Sequence, residues 1–589
     1  MRETLEVWGQ TVRSLAPILG RAVASGQLWR PRCELVEPDP DVSSEYGVEI
    51  PARDGYVMTA NIFRSRSATE RGEPVPVIMC AHPYDNRLTP DQGRTPLGGP
   101  PQQYRLISQA GRPRFSTLTS WESPDPDFWV RAGYAVVNLN LPGYGGSDGP
   151  PSVFQRSQLR GYHDAIEWVA QQPWCTGRVG LNGVSFLAIS QYGVAAGHGS
   201  GGEAPAGLAA ISPWEGLTDP YRDIFCPGGL PESGFPSFWW STEVKLALTG
   251  EESDFLDQEG CRPPAYATEH PLVDAWWLEK TQDLSQIKVP MLVCASFSDH
   301  NLHTVGSFRA FREVGSEHKW LYTHRGGKWD VYYDREVQEF TRCFMDQFVK
   351  EDPQANFLEE PTVRLEVRAS RDAVYEVRGE THWPPPGTEP EVWSLGPDGQ
   401  LSDPSPASES ELRMDARKGE LRFTRTFSAA REITGPMALE LSLSLEDGAS
   451  PPPDVGIFVY VFKRDASGEI VYFRGSVGST RDPVARGYAR AALRKLDEER
   501  SSALSPVLVA EEFEPVSPGE RVYLPVTIWE SSTFFEAGSS LEMQVATYES
   551  VASPPYRKDA SFNRGQVVLH LGGTRGSTLR VPSRGGVRA

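Results

Sequence analysis

The chain has 589 residues, of which 58 are Lys or Arg and 78 are Asp or Glu, so its formal net charge is -20 at neutral pH. That length predicts about two or three domains, and the acidic balance excludes nucleic acid as an expected partner because the surface repels phosphate. A content of 55 Gly and 50 Pro indicates many turns and long loops and excludes a helical bundle.

Residues 1–47 are predicted to form an N-terminal helical extension. Five apolar residues recur there at helical spacing, with Pro17 expected to kink the helix: Leu5, Trp8, Val12, Leu15 and Leu19. We expect this helix to pack on the protein body, because a membrane-surface helix would carry more Lys and Arg. No segment has the apolar length of a signal peptide or a membrane span, so no membrane partner is expected.

The cysteines are few, and their spacing matches no metal site. There are 7 of them, scattered along the chain without a CxxC pair or a Cys/His cluster. We expect all of them to be reduced, which favours a cytoplasmic location. Neither a metal nor an organic cofactor is expected.

Residues 48–213 and 286–355 are predicted to form the two parts of an α/β domain. Short strands that are continuously apolar, as in a sheet buried on both faces, alternate there with helical stretches. The predicted strands are PVPVIMCAHP, GYAVVNLNL, GRVGLNGVS, AGLAAISPW, VPMLVCASFSD and HKWLYTH, and the clearest helices are Tyr162–Gln172 and Glu336–Phe348.

Two further regions have different residue patterns. Residues 214–285 are aromatic and irregular, which predicts an inserted cap over the carboxyl ends of the strands. Residues 356–589 alternate apolar and polar residues in segments such as TVRLEVRA, GIFVYVFKRD and RVYLPVTIW, which predicts an all-β domain, most simply a sandwich or jelly roll. The one helical pattern in this half is Ala489–Arg500.

The strongest chemical signal is the segment Gly183-Val-Ser-Phe-Leu-Ala, which lies between a predicted strand and a predicted helix. A serine on such a sharp turn is lifted out of the sheet as a nucleophile. Leu187 occupies the last-Gly position of the usual Gly-x-Ser-x-Gly pattern, and a small residue follows one position later at Ala188. The alternative is a helix N-cap serine, but the flanking strand and helix favour Ser185 as a nucleophile.

A nucleophilic serine requires a base and an orienting carboxylate, which follow in the chain order Ser, acid, His. Asp299 ends a late strand and is the predicted acid. His324 ends the last strand and is the predicted base. His300 and His303 flank the acid and are the rival bases, although we expect them to shape the loop.

An oxyanion hole needs two donors. The backbone N–H of Phe186 is the predicted first donor, and the loop Ala-His-Pro-Tyr-Asp-Asn (81–86) is expected to supply the second. This loop has no His-Gly-Gly run, so a side chain such as Tyr84 is a candidate. A packed loop tyrosine is the alternative.

These motifs together resemble the cocaine esterase / X-prolyl dipeptidyl-peptidase family of serine hydrolases. The resemblance rests on HPYDN, on TSWESPDPDFWVRAGYAVVNLNLPGYGGSDG, on QPWCTGRVGLNGVSFLAISQ and on the late Asp299 and His324. It implies an α/β-hydrolase domain, a helical cap and a C-terminal jelly-roll domain, and it implies that the Tyr84 hydroxyl completes the oxyanion hole. The family elbow usually has Tyr where this chain has Phe186, which bears on substrate preference and not on the backbone donor.

Several candidates remain open in and near the cap. Trp214, Glu215, Trp239 and Trp240 are predicted to contact the substrate, although the tryptophans suit a core equally well. Glu215, Asp223 or Glu232 is a candidate for binding a substrate ammonium, the alternative being an ordinary loop acid. The segment Pro-Gly-Tyr-Gly-Gly-Ser-Asp-Gly (142–149) lacks the Lys and Ser/Thr of a phosphate loop, so we expect a structural turn there.

We therefore predict a serine hydrolase that cleaves a small ester or amide, or a short peptide, through an acyl-enzyme. X-Pro dipeptidyl-peptidase activity and acyl transfer by the same triad are the alternatives within the class, and a non-catalytic binding protein is the alternative outside it. A homodimer remains open.

Overall fold

The computed structural model describes residues 16–95, 98–107, 111–250, 262–403, 408–446 and 453–584. Residues 16–24 form a helix, α1, on which Ile18 and Ala22 are buried while Leu19 is exposed. The predicted helical positions Leu5, Trp8, Val12 and Leu15 lie outside the described residues.

A twisted sheet forms the centre of the first domain. It runs in the order β2–β3–β6–β4–β7–β8–β9–β10, antiparallel at the β2–β3 and β3–β6 pairs and parallel from β6 onward. The strands of this half are β1 (Glu34–Val36), β2 (Val42–Pro51), β3 (Val57–Ser65), β4 (Val75–His82), β5 (Arg114–Ser116), β6 (Ala135–Asn140), β7 (Cys175–Val184), β8 (Leu208–Trp214), β9 (Met291–Ser296) and β10 (Lys319–His324). The short strands β1 and β5 pair with each other.

The central strands are buried on both faces, which confirms the sequence prediction. Every residue of β6 and of β9 is buried, because helices cover both sides of a parallel sheet. The helices of this half are α2 (Arg66–Arg71), α3 (Gln103–Leu106), α4 (Pro126–Arg131), α5 (Arg156–Ala170), α6 (Phe186–Ala195), α7 (Phe235–Trp239), α8 (Tyr266–Glu269), α9 (Ala275–Lys280), α10 (Thr304–Glu313), α11 (Lys328–Tyr332) and α12 (Arg335–Met345).

The region between β8 and β9 breaks the alternation of strand and helix. Its described part contains α7, α8 and α9 together with single turns of 3₁₀ and π-helix. Aromatic side chains pack against one another in this region, for example Phe225 against Tyr266 at a ring-centroid distance of 5.1 Å. The segment 142–149 after β6 is a turn, in which Gly143 has a φ of 80°.

The C-terminal half is all-β, and its described strands form two main sheets and a short two-stranded pair. Its strands are β11 (Val363–Arg368), β12 (Val374–Glu380), β13 (Thr388–Leu395), β14 (Leu401–Ser402), β15 (Ser410–Asp415), β16 (Glu420–Thr426), β17 (Arg431–Leu445), β18 (Gly456–Arg464), β19 (Ile470–Val471), β20 (Phe473–Gly475), β21 (Ser479–Asp482), β22 (Ala485–Arg490), β23 (Val522–Phe535), β24 (Ser540–Ala546), β25 (Gln566–Leu571) and β26 (Thr578–Arg584). One sheet is built around β17, which pairs with β23, β25 and β26. The other runs β16–β24–β18 and continues to β19 and β22. Their facing sides enclose a second apolar core.

The predicted helix Ala489–Arg500 is wrong. Residues Ala485–Arg490 form β22, which pairs with β18, and Ala491–Leu493 form a single 3₁₀ turn. Pairing in the sheet overrides the helix propensity of this Ala- and Arg-rich stretch.

The two domains share hydrogen-bonded strands. Strand β11 pairs in parallel with β10 through Leu321 and Val363 and in antiparallel with β12, so the hydrolase sheet continues into the C-terminal half. Arg368 at the end of β11 is buried, and its guanidinium donates to the carbonyl oxygens of Phe297, Val484 and Ser532. Residues near the carboxyl end of β9 are therefore tied to the β domain.

Across the parts of the chain that the structure covers, no helix is both long and apolar enough to cross a bilayer. Six cysteines are described, and none of these six forms a disulfide. Cys261 lies outside the described residues.

Candidate active site

Ser185 lies at the turn between β7 and α6, with a φ of 61° and a ψ of -117°. This positive φ is rare for a residue with a side chain and marks a strained turn. The backbone of Ser185 is fixed on both sides, since its N–H donates to the carbonyl of Trp214 and its carbonyl accepts from Ile189. Sheet and helix together therefore hold the serine in the nucleophile geometry that the sequence predicts.

The small residues of the elbow are required by close packing. Gly183 has a φ of 153°, and a Cβ built there would lie 2.7 Å from the Cβ of Leu187. A Cβ at Gly216 would lie 3.0 Å from the Cβ of Ala188. Ala188 is thus the residue whose small size matters, while Leu187 points into the core and is fully buried. This packing explains the departure from Gly-x-Ser-x-Gly.

Ser185 is hydrogen-bonded to His303. The distance from Ser185 Oγ to His303 Nε2 is 3.3 Å, and His303 Nδ1 lies 2.6 Å from Asp299 Oδ2. Asp299 follows β9, and its carbonyl accepts from the N–H groups of Leu302 and His303 in a tight turn that leads into α10. The structure therefore brings Ser185 and Asp299 together as expected, with His303 between them.

His324 does not lie beside Ser185, so its expected placement requires correction. Its Nε2 is 3.0 Å from Glu215 Oε1, and its ring stacks on Trp214 at a centroid distance of 5.9 Å. His324 lines a different cavity from the one that contains Ser185. The reason is the turn after Asp299, which brings His303 to Ser185, while Glu215 holds His324.

Lys328, at the start of α11, contacts both members of the Asp299–His303 pair. Its Nζ is 2.9 Å from Asp299 Oδ2 and 2.9 Å from His303 Nδ1. Burial by itself would raise the pKa of Asp299, but Lys328 and His303 outweigh it and hold that pKa well below its usual value. Burial and Lys328 lower the pKa of His303. The site therefore holds an ionised carboxylate beside a neutral imidazole.

Tyr84 lies in the loop after β4, on the same cavity as Ser185. Its hydroxyl oxygen accepts a hydrogen bond of 3.1 Å from Trp239 Nε1. Burial and the nearby Glu122 and Glu243 carboxyls raise the pKa of Tyr84 well above its usual value, so the hydroxyl keeps its proton. Phe186 begins α6, and its ring packs on Trp239 at a centroid distance of 5.9 Å. Both predicted oxyanion donors thus border the cavity.

Ser185, Asp299 and His303 lie in the wall of one cavity. Of the four cap residues predicted to contact substrate, Trp239 and Glu215 line this cavity and Trp214 and Trp240 do not. Trp214 is fully buried in the core. Glu215 accepts a hydrogen bond from Ser296 and pairs with His324.

The other cap carboxylates considered for a substrate ammonium are already paired. Asp223 accepts two hydrogen bonds of 2.9 Å from the guanidinium of Arg309. Glu232 lies 3.1 Å from the ammonium of Lys558. Neither carboxylate lines the cavity of Ser185.

Glu122 and Glu243 also line this cavity, and neither is predicted from the sequence. Glu122 has a φ of 62° and is 2 % exposed. Its Oε1 accepts from Trp329 Nε1, while its Oε2 has no hydrogen-bond partner among the described residues. Burial raises the pKa of Glu122 well above its usual value and that of Glu243 to about 7. No local pattern marks either residue, although the segment TSWES contains Glu122.

The β domain forms one wall of the cavity. Tyr556 packs face to face with Phe235 at a centroid distance of 5.0 Å, and residues 474–480 complete this wall. The described residues contain no cluster of three or more His, Cys, Asp or Glu side chains that could hold a metal ion.

Both halves of the chain match models of known protein families. Residues 54–328 match the model of the X-Pro dipeptidyl-peptidase (S15) family, and residues 355–580 match the X-Pro dipeptidyl-peptidase C-terminal non-catalytic domain. The fold and the site thus define an α/β-hydrolase domain followed by an all-β domain.

Individual relatives agree with this class. The chain is 24 % identical over 410 residues to the cocaine esterase of Rhodococcus, a match that spans 61 % of this chain and 64 % of that protein. It is 24 % identical over 363 residues to a putative Xaa-Pro dipeptidyl-peptidase of Streptomyces avermitilis, across 56 % of this chain and 48 % of that protein. The matches therefore span less than two thirds of these relatives' own length.

A solved structure covers nearly the whole chain. The CocE/NonD family hydrolase of Staphylococcus aureus is 30 % identical, superposes with a TM-score of 0.83, and covers 94 % of this chain and 99 % of its own. The chain belongs to the CocE/NonD family of hydrolases, and both of its halves match X-Pro dipeptidyl-peptidase family models, which confirms the resemblance drawn from its motifs.

Proposed function

We propose that the protein is a serine hydrolase that cleaves a small ester or amide through an acyl-enzyme. The observation that carries this proposal is the hydrogen-bonded series from Ser185 Oγ through His303 to Asp299, at 3.3 Å and 2.6 Å. The match to the S15 family model supports the same activity. The base in this proposal is His303 and not His324.

In the proposed reaction, Ser185 Oγ attacks the carbonyl carbon as its proton passes to His303 Nε2. Asp299 orients the imidazole and stabilises its cation without itself becoming protonated. The Tyr84 hydroxyl and the N–H of Phe186 stabilise the oxyanion. His303 then protonates the leaving alcohol or amine, and water, activated by the same histidine, releases the acid and restores Ser185.

Labelling with a fluorophosphonate tests this proposal. We expect the wild type to label at Ser185, Ser185→Ala not to label, and His303→Ala to label at least about 100-fold more slowly, as expected for loss of a general base. His324→Phe is the matched control and should label within a few-fold of the wild type, provided that it unfolds at a similar temperature. Absent wild-type labelling, or equal labelling of Ser185→Ala, would favour a non-catalytic binding protein.

X-Pro dipeptidyl-peptidase activity is the second candidate. Glu122 and Glu243 favour it, because both carboxyls line the cavity of Ser185 and Glu122 Oε2 has no hydrogen-bond partner among the described residues. A buried carboxyl of this kind suits a substrate ammonium, which would restore its ionised form.

Parallel assays of an X-Pro anilide and of short-chain aryl esters separate the two candidates. Cleavage of the anilide that requires a free substrate amine, and that falls in Glu122→Gln and Glu243→Gln, would favour the peptidase. Ester cleavage without such dependence supports the esterase. Product analysis with an added amine or alcohol distinguishes hydrolysis from acyl transfer, which uses the same residues.

We also propose the division into 1–47, 48–213, 214–285, 286–355 and 356–589, a jelly-roll arrangement of the last of these, and a cytoplasmic location. Six free cysteines among the described residues support the location. A homodimer remains a candidate assembly, which light scattering would test.

A further inference from the structure

The loop after β10 places a lysine against the Asp299–His303 pair. Asp299 and His303 both come from the turn between β9 and α10, whereas Lys328 comes from α11, after the last strand of the hydrolase domain. Lys328 Nζ lies 2.9 Å from Asp299 Oδ2, the same oxygen that accepts from His303 Nδ1. Because the Nδ1–H group of His303 donates its hydrogen bond to Asp299, the 2.9 Å separation of Nδ1 from Lys328 Nζ is a close contact of two donors.

We propose that Lys328 is a positioning residue of the hydrolytic site, which fixes the carboxylate of Asp299 and keeps His303 in its basic form. This inference rests on the proposed function.

The geometry gives the first argument. One carboxylate oxygen accepts from two donors that come from different elements, so the carboxylate cannot rotate without losing a bond to one of them. The side chain of Lys328 is only 10 % exposed, and a buried ammonium is stable only when it is paired. Lys328 therefore serves the Asp299–His303 pair directly and does not extend into solvent.

The surrounding charges give the second argument. The other titratable or charged groups that line the same cavity as this pair are Glu215, Glu122, Glu243, Lys328, Tyr84, Tyr556 and Arg474. Burial and then Lys328 lower the pKa of His303, whereas Asp299 and Glu215 raise it, and the net shift is downward. Since the neutral imidazole is the base, a lower pKa keeps the site active at lower pH.

If Lys328 has this role, it sets the midpoint of the acid limb of the pH profile. We would measure kcat/KM for an aryl ester, and separately the rate of fluorophosphonate inactivation, from about pH 4.5 to about pH 9. For the wild type we expect the acid limb to have its midpoint below about 6.5, the ordinary value for histidine. In Lys328→Met the midpoint should rise by about one pH unit, because a neighbouring cation no longer opposes imidazolium formation.

Two variants control for structural effects. Lys328→Arg keeps the cation and should keep the midpoint of the wild type. Lys319→Met removes a half-buried lysine of β10 whose Nζ contacts the Arg312 carbonyl at 3.4 Å, and it should leave the midpoint unchanged. Lys328→Gln provides the same loss of charge if Lys328→Met does not fold.

A wild-type midpoint above about 6.5, or coincident midpoints for the wild type and the neutral variants, would overturn the role of Lys328. A similar shift in Lys328→Arg would also overturn it. Failure of the proposed function has a separate signature, since the wild type would then not label at Ser185 at any pH.

Discussion

The hydroxyl of Tyr84 is the one side-chain donor in the proposed oxyanion hole. We expect Tyr84→Phe to lower kcat by about 100- to 1000-fold, as loss of one such donor does, with little change in KM because the oxyanion exists only in the transition state. Steady-state kinetics with an aryl ester measure both constants.

Tyr162→Phe is a matched control for Tyr84→Phe. Tyr162 is also fully buried, but it lies on α5 away from the cavity, and its hydroxyl has no hydrogen-bond partner among the described residues. Its kcat should stay within about 2-fold of the wild type. Equal losses in the two variants would contradict the role of Tyr84.

At the residue scale, the sequence located some site residues and missed others. Ser185 and Asp299 could be predicted because each follows a recognisable buried strand. Chain order favours a histidine after the last strand, so it predicts His324 as the base and leaves His303 as a rival. The overlooked signal was spacing, since a turn after Asp299 can return the chain to the same carboxylate four residues later. Glu122 lines the cavity because of the tertiary fold, and no local sequence motif predicts that position.

At the element scale, the turn from β7 to α6 depends on Gly183. We expect Gly183→Ala to lower the free energy of unfolding by about 1–3 kcal/mol, because its φ of 153° suits glycine and the new Cβ would meet Leu187. Urea unfolding measures this loss. Gly387→Ala is the control, since Gly387 also has a positive φ, of 76°, but a Cβ there would meet nothing within 4 Å. A loss no larger than that of Gly387→Ala would contradict the steric argument.

The elements that could be predicted are those whose pattern reflects burial. The continuous apolar runs of β6 and β9 predict a sheet covered on both faces, and the alternation at the start of β23 predicts the second domain. The stretch after Tyr488 could not be predicted, because its alanines favour a helix while distant strand β18 supplies the pairing that decides its conformation.

At the scale of the whole molecule, buried polar contacts connect the β domain to the turn that carries Asp299 and His303. Asn301 Oδ1, in the middle of that turn, accepts from Lys558 Nζ at 3.1 Å and from the hydroxyl of Tyr488 at 3.3 Å. His300 Nε2 lies 2.9 Å from the carbonyl oxygen of Glu530. The β domain therefore supports the turn that carries Asp299 and His303 and also forms one wall of the cavity.

We expect the two domains to unfold together, in one calorimetric transition, because they share the β10–β11 pairing and these buried contacts. Lys558→Met should lower the free energy of unfolding by about 3–5 kcal/mol, since it leaves the buried Glu232 carboxylate unpaired. The double variant Glu232→Gln, Lys558→Met should recover part of that loss. Two resolved transitions in the wild type would show that the domains are independent.

Asp299 and His303 lie within five consecutive residues, which determines how insertions in the chain affect the alignment of acid and base. When acid and base come from separate loops, an insertion in either loop disrupts their alignment. Here the pair lies in one short segment, so an insertion elsewhere in the chain leaves the spacing of acid and base unchanged. In this chain the segment after β10 does not supply the base, and it contributes the cation of Lys328 instead.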